Sequence, residues 1–161
     1  MTIHAKVSAA KPNLGLDHGL AIGTPVLSLD GMMPIEYLHP GDRVITRSGA
    51  RKLVAIEVSV VQNARVVRIS HGVLGKDRPA EDMIVTPDQP ILIRDWRAKA
   101  LTGAEVALIA AAYLVDGEYI RAEVMPELRL YTLRFEEDVV IYAGDLELFC
   151  TGLVGTSTPA A

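Results

Sequence analysis

The chain has 161 residues, half of them hydrophobic, and a formal net charge of −4; one domain with a sizeable core is expected, with disorder only at the ends. An isoelectric point near 5.5 gives no electrostatic ground for a nucleic acid or an anionic membrane as partner. Cys150 is the only cysteine, which excludes an intrachain disulfide and a cysteine-rich metal site and points to a cytoplasmic protein.

No apolar stretch approaches the roughly 20 residues that cross a bilayer; the longest, Val106–Val115, is bounded by Glu105 and Asp116. Residues 1–18 lack periodicity, hold Pro12, Asn13 and Gly15, and carry no apolar core of a secretory signal; they read as a flexible lead-in. A strand is expected at Pro25–Leu29, stopped by the turn pair Asp30-Gly31. Pro34–Leu38 leads into the turn Pro40-Gly41 and a strand over Asp42–Thr46, and Ser48-Gly49 marks the next turn. Leu53–Val61 is dense in β-branched residues and reads as a long strand, continued at Arg65–Ser70. His71–Pro79 is a loop. Further short strands are expected at Met83–Val85, Ile91–Arg94, Glu118–Arg121, Leu128–Phe135 and Val139–Ala143. Ala104–Val115 has excellent helix formers and no Gly or Pro, so propensity alone favours a helix there. Residues 153–161, rich in small residues, read as a flexible tail. Many short strands with frequent turns make a compact all-β fold the leading architecture.

Several of these segments, in this order, resemble the Hint domain, the Hedgehog/intein module that cleaves or rearranges its own backbone, in its bacterial form. They are GTPVLSLDG (23–31), PIEYLHPGDRVITR (34–47), HGVLG (71–75), DMIVTPDQPILI (82–93), AAYLVDG (111–117) and LYTLRFEEDVVIYAGDLELFC (130–150). Leu38-His39-Pro40-Gly41-Asp42-Arg43-Val44 is the most specific: Pro40-Gly41 supplies a turn, and Asp42 can accept from nearby backbone N–H groups. The likeness covers residues 19–152. It implies an elongated all-β fold with a pseudo-two-fold arrangement of strands that brings its two ends together. It also implies a strand near Val106–Ile109 and a helical turn at Ala110–Leu114, against local propensity.

The departures bear on chemistry. The family's nucleophile, four residues before Gly-Thr, falls on Gly19, and the histidine of its Thr/Ser-Pro-x-His run falls on Gln89 in Thr86-Pro87-Asp88-Gln89. The acyl shift that the resemblance implies needs a thiol or hydroxyl, a proton donor for the leaving amine, and donors for the oxyanion. Gly19 offers no side chain and Gln89 cannot shuttle a proton, so several kcal/mol of transition-state stabilisation are missing. Splicing also needs a terminal Asn, and Asn13 and Asn63 both lie far from the C-terminal boundary.

Cys150 is the best substitute nucleophile by position, although a lone cysteine is more often a small buried hydrophobe. Thr24 and Ser28 read as strand residues. His18, beside the missing nucleophile, reads as exposed rather than as a displaced base, and His39 and His71 as structural or solvated. No metal-ligand spacing such as HxxxH is present, so neither metal nor cofactor is expected. Glu136-Glu137-Asp138 reads as a solvated hairpin tip, with weak calcium binding as a distant alternative.

The leading expectation is a domain inactive in self-splicing or autocleavage, with no catalytic residue, retained as a binding or structural module. A vestigial cleft lined by Gly19, Thr86, Asp88, Gln89 and Cys150 would hold an unknown peptide, protein segment or small ligand. The alternative is self-cleavage with an altered nucleophile. A small β domain of another kind is the third reading.

Overall fold

A computed structural model describes residues 18–153. The lead-in read at 1–18 and the tail read at 153–161 lie, apart from His18 and Leu153, outside the described residues. Among these residues no helix is long and apolar enough to cross a membrane.

The strands, in chain order, are β1 (Leu20–Ala21), β2 (Pro25–Ser28), β3 (Gly31–Pro34), β4 (Arg43–Thr46), β5 (Gly49–Lys52), β6 (Ala55–Ile69), β7 (Met83–Val85), β8 (Pro90–Ile93), β9 (Ala107–Ala110), β10 (Ile120–Arg134), β11 (Val139–Ala143) and β12 (Leu146–Cys150). They form two layers. One is a small closed ring, β1-β10-β6-β7; the other is a larger sheet in the order β3-β2-β4-β11-β12-β8-β9, with β5 beside β4. The long strands β6 and β10 pair antiparallel from Ile69↔Ile120 to Ala55↔Arg134.

Both long strands differ from the sequence expectation, which broke each into two. Pro126 sits inside β10, where a missing N–H ordinarily ends a strand. The register nevertheless runs through unshifted, from Met125↔Ala64 to Glu127↔Gln62. Asn63, opposite the proline, takes φ 49°.

The hairpins at the start share one device. Ser28 Oγ donates to Gly31 O (2.9 Å) and accepts from Asp30 N (3.1 Å). Thr46 Oγ1 does the same with Gly49 O (2.6 Å) and Ser48 N (3.0 Å). In each, the glycine at positive φ (101° and 98°) lets the chain turn back into the next strand. Between them Ile35–Tyr37 is a 3-10 turn, and Asp42 Oδ2 accepts from His39 N (2.8 Å), the local bond expected of that aspartate.

Ala107–Ala110 is a strand and Ala111–Leu114 a 3-10 turn, as the family resemblance implied and against propensity. The reason is tertiary: Ala107, Ile109 and Ala110 are buried where β9 pairs with β8. A short helix, α1 (Trp96–Thr102), was not expected. Asp95 caps it through Arg97 N (2.9 Å), and Gly103 closes it at φ 86°.

The main core joins both layers. Val26, Val44, Ile69, Ile91, Ile120, Ile141 and Leu148 are at most 1% exposed, each contributing roughly 1.5–3 kcal/mol relative to exposure. β12 runs through the centre of the larger sheet and is buried along most of its length. Its one carboxylate, Glu147, is held by Arg94 (2.9 Å) and Arg47 (3.4 Å), which keeps the buried charge paired.

Candidate functional site

The candidate site lies where β1, β7, β10 and the end of β12 converge. The Gly19 N–H donates to Thr86 Oγ1 (3.2 Å), and the Thr86 N–H returns a bond to Gly19 O (3.2 Å). Across the same peptide bond, Thr132 Oγ1 donates to His18 O (2.7 Å). The His18–Gly19 amide is thus clasped at both ends by threonine hydroxyls. A hydroxyl donating to a carbonyl draws charge toward the oxygen, the sense that attack on that carbonyl requires. The Thr86 oxygen only orients the amide nitrogen and does not protonate it.

Gly19 itself supplies no attacking group. Gly19 has no side chain, though space exists for one: an added Cβ would lie 3.5 Å from Thr132 Oγ1 and Tyr131 O and 3.6 Å from Thr86 Cγ2, ordinary contact distances. Gln89, only 2% exposed, donates through Nε2 to Phe149 O (2.8 Å) and Pro90 O (3.0 Å). Its amide fastens the start of β8 to the end of β12, and neither N–H is left over. Burial pushes the Cys150 thiol up to about 12, and the nearby Arg134 only partly opposes it. A thiol in that state is not a nucleophile near neutral pH.

Gly19, Gln89 and Cys150 line one cavity, so the two ends of the domain do meet. Thr86 touches Gly19 directly. Asp88, half-buried in the turn after β7, lines no part of that cavity. Among the described residues this cavity measures about 10 Å³, room for about one water molecule. Tyr131, Leu133, Arg134 and Phe149 complete its walls.

His18 is also not the exposed residue expected; it is half-buried, with its ring edge-on to Phe149 at 6.2 Å. His39 and His71 are exposed, as expected. Thr24 Oγ1 donates to Ala21 O (2.7 Å) and, like Ser28, holds a turn. Among the described residues no group of His, Cys, Asp or Glu is placed to hold a metal. Glu136, Glu137 and Asp138 are exposed, and Asp138 Oδ1 accepts from Gly152 N (2.7 Å) to pin the end of the domain. Sequence reasoning missed Thr132. It sits in an apparently alternating strand, where a threonine reads as a solvent-facing residue.

The family profile for the Hint domain matches residues 18–148. The fold is similar to a bacterial intein-like domain from Clostridium thermocellum, at 18% identity and TM-score 0.59, covering 83% of this chain and 97% of that one. It is similar to the TvoVMA intein at 13% identity and TM-score 0.59, covering 82% and 96%. It also matches the gp41-1 intein at 14% identity and TM-score 0.55, covering 83% and 98%. At these identities the structural likeness establishes the fold alone. A comparison with curated proteins finds no match. With the family profile spanning most of its length, this chain belongs to the Hint domain family.

Proposed function

We propose that this domain does not cleave or splice its own backbone and is retained as a structural or binding module, acting through its surface on a protein or peptide partner. One observation carries the reading: the position that must supply the nucleophile is Gly19, and Gln89, at the place of the proton donor, is committed to two backbone carbonyls. Cys150, buried with its thiol held protonated, does not replace them. The reading includes a cytoplasmic location, supported by the lone, unpaired cysteine.

The clasp on the His18–Gly19 peptide favours a second reading, residual self-cleavage, because Thr132 still polarises that carbonyl. Intact mass decides between them. The purified chain is incubated with and without dithiothreitol or hydroxylamine. A single unprocessed mass supports the inactive domain. A fragment ending near residue 18 or 150, increased by the added nucleophile, establishes an ester intermediate and refutes it.

A further inference from the structure

A second pocket, of about 220 Å³, opens between the loop after β6 and the end of β8, lined by Leu74, Arg78, Leu92, Ile93, Arg94 and Asp95. It shares no residue with the Gly19 cavity. Its charges are not balanced. Asp95 is held by Arg97, and Arg94 shares the single carboxylate of Glu147 with Arg47. Arg78 has no carboxylate partner among the described residues, and its Nε is shut off from water without an acceptor. A guanidinium keeps its charge at every working pH, and an unsatisfied shielded donor is costly. The surplus on this rim is therefore positive in a chain whose net charge is −4. The wider groove of about 410 Å³ beside Arg51, Lys52, Glu136 and Glu137 shows the contrast: its signs balance, and all four side chains are in solvent.

The chemistry of the walls selects the ligand. Leu74, Leu92 and Ile93 make an apolar floor, and the guanidinium fork matches a planar carboxylate. Asp95 on the rim disfavours a doubly charged group such as phosphate. We propose that this pocket binds a small aliphatic carboxylate, its carboxylate on Arg78 and its hydrocarbon part on Leu74, Leu92 and Ile93. A free branched-chain acid and the C-terminal residue of a peptide share this chemistry. The proposal does not depend on whether the Gly19 site is silent.

Amide ¹⁵N–¹H spectra of the full chain test it, with three probes: 4-methylpentanoate for a free acid, N-acetyl-leucine for a peptide terminus, and N-acetyl-leucinamide, which lacks the charge. Saturable shifts confined to residues 74–78 and 92–95 are expected with one or both acids, and which acid binds tighter identifies the source. The uncharged amide on the wild-type chain, and the acids on Arg78→Gln, should each bind at least about tenfold more weakly, the loss expected for charge-assisted hydrogen bonds. Arg51→Gln should change nothing. Absence of saturation below about 10 mM for both acids overturns the proposal. So does equal binding of the amide, a comparison that holds even if Arg78→Gln fails to fold.

Discussion

Replacing Gly19 by cysteine puts back the one atom the clasped peptide lacks. The position tolerates it: the nearest neighbours of an added Cβ stand at 3.5–3.6 Å, and Gly19 has no positive φ. Lost chain entropy in the unfolded state favours the variant by about 0.4–1 kcal/mol, and fitting a sulfur into a cavity of about 10 Å³ opposes it. Stability should therefore stay within about 1 kcal/mol of wild type, checked by urea unfolding. The thiol then faces a carbonyl already held by Thr132 at 2.7 Å. Gln89 still cannot deliver a proton, and general acid catalysis is worth about 10²–10⁴-fold. Gly19→Cys alone should thus show slow or no dithiothreitol-induced scission after His18, followed by intact mass. Adding Gln89→His should accelerate it at least about 100-fold. Adding Thr132→Val to that pair should slow it by about 100-fold, the usual effect of removing an oxyanion donor. A folded double variant no faster than Gly19→Cys would show that the missing proton donor does not silence the site. Loss of the Thr132 effect would show that the clasp is only structural.

Cys150 should be inert in the folded chain. With its thiol near 12 instead of 9.0, its thiolate is about a thousandfold rarer than an ordinary one at neutral pH. Labelling by an aromatic disulfide should be slower by at least that factor than in urea, and equal rates would contradict the burial. Gly144→Ala should destabilise by about 2–4 kcal/mol: φ is 59° and a Cβ would run into the Met83 sulfur. Gly23→Ala, at φ 91° with nothing within 4 Å, should cost only about 1 kcal/mol; similar losses at both would discount the Met83 clash. Asp116 accepts from Ile120 N, Glu118 N and Tyr119 N, which hold its carboxyl below the ordinary 3.8. A depressed folded value stabilises above that ordinary value, and the gain disappears as pH falls through the folded one. Asp116→Asn should therefore weaken the fold at neutral pH and flatten its acid limb below about pH 4; an unchanged limb refutes the assignment.

Local signals located most strands, and the places where they failed have definite causes. The unbroken β10 across Pro126 is not legible locally, because a proline lacks the N–H of a ladder position and its partner Asn63, at φ 49°, lies 63 residues earlier. The strand at 107–110 defeats propensity because pairing with β8 and burial fix it, both long-range facts. Other misses were legible. Asp95 and Gly103 bracket α1 with the ordinary start and stop signals. Gly144-Asp145, both at positive φ, is a two-residue hairpin turn and announces β12.

At the site, residue identity was legible and residue role was not. That Gly19 cannot attack follows from its lack of a side chain. That Gln89 is a fastener follows only from Phe149 O, 60 positions away. Thr132 acts on a carbonyl 114 positions away. Gln89 ties the end of β12 to the start of β8, beside the small cavity that Phe149 and Cys150 line. Burial at that end of β12 strips water from Cys150 and raises its thiol. The fastening by Gln89 and the inert cysteine are therefore linked through the end of β12. On this account Gln89→Ala should both loosen the cavity and make Cys150 labelling faster, and a variant in which labelling stayed as slow as in wild type would separate the two.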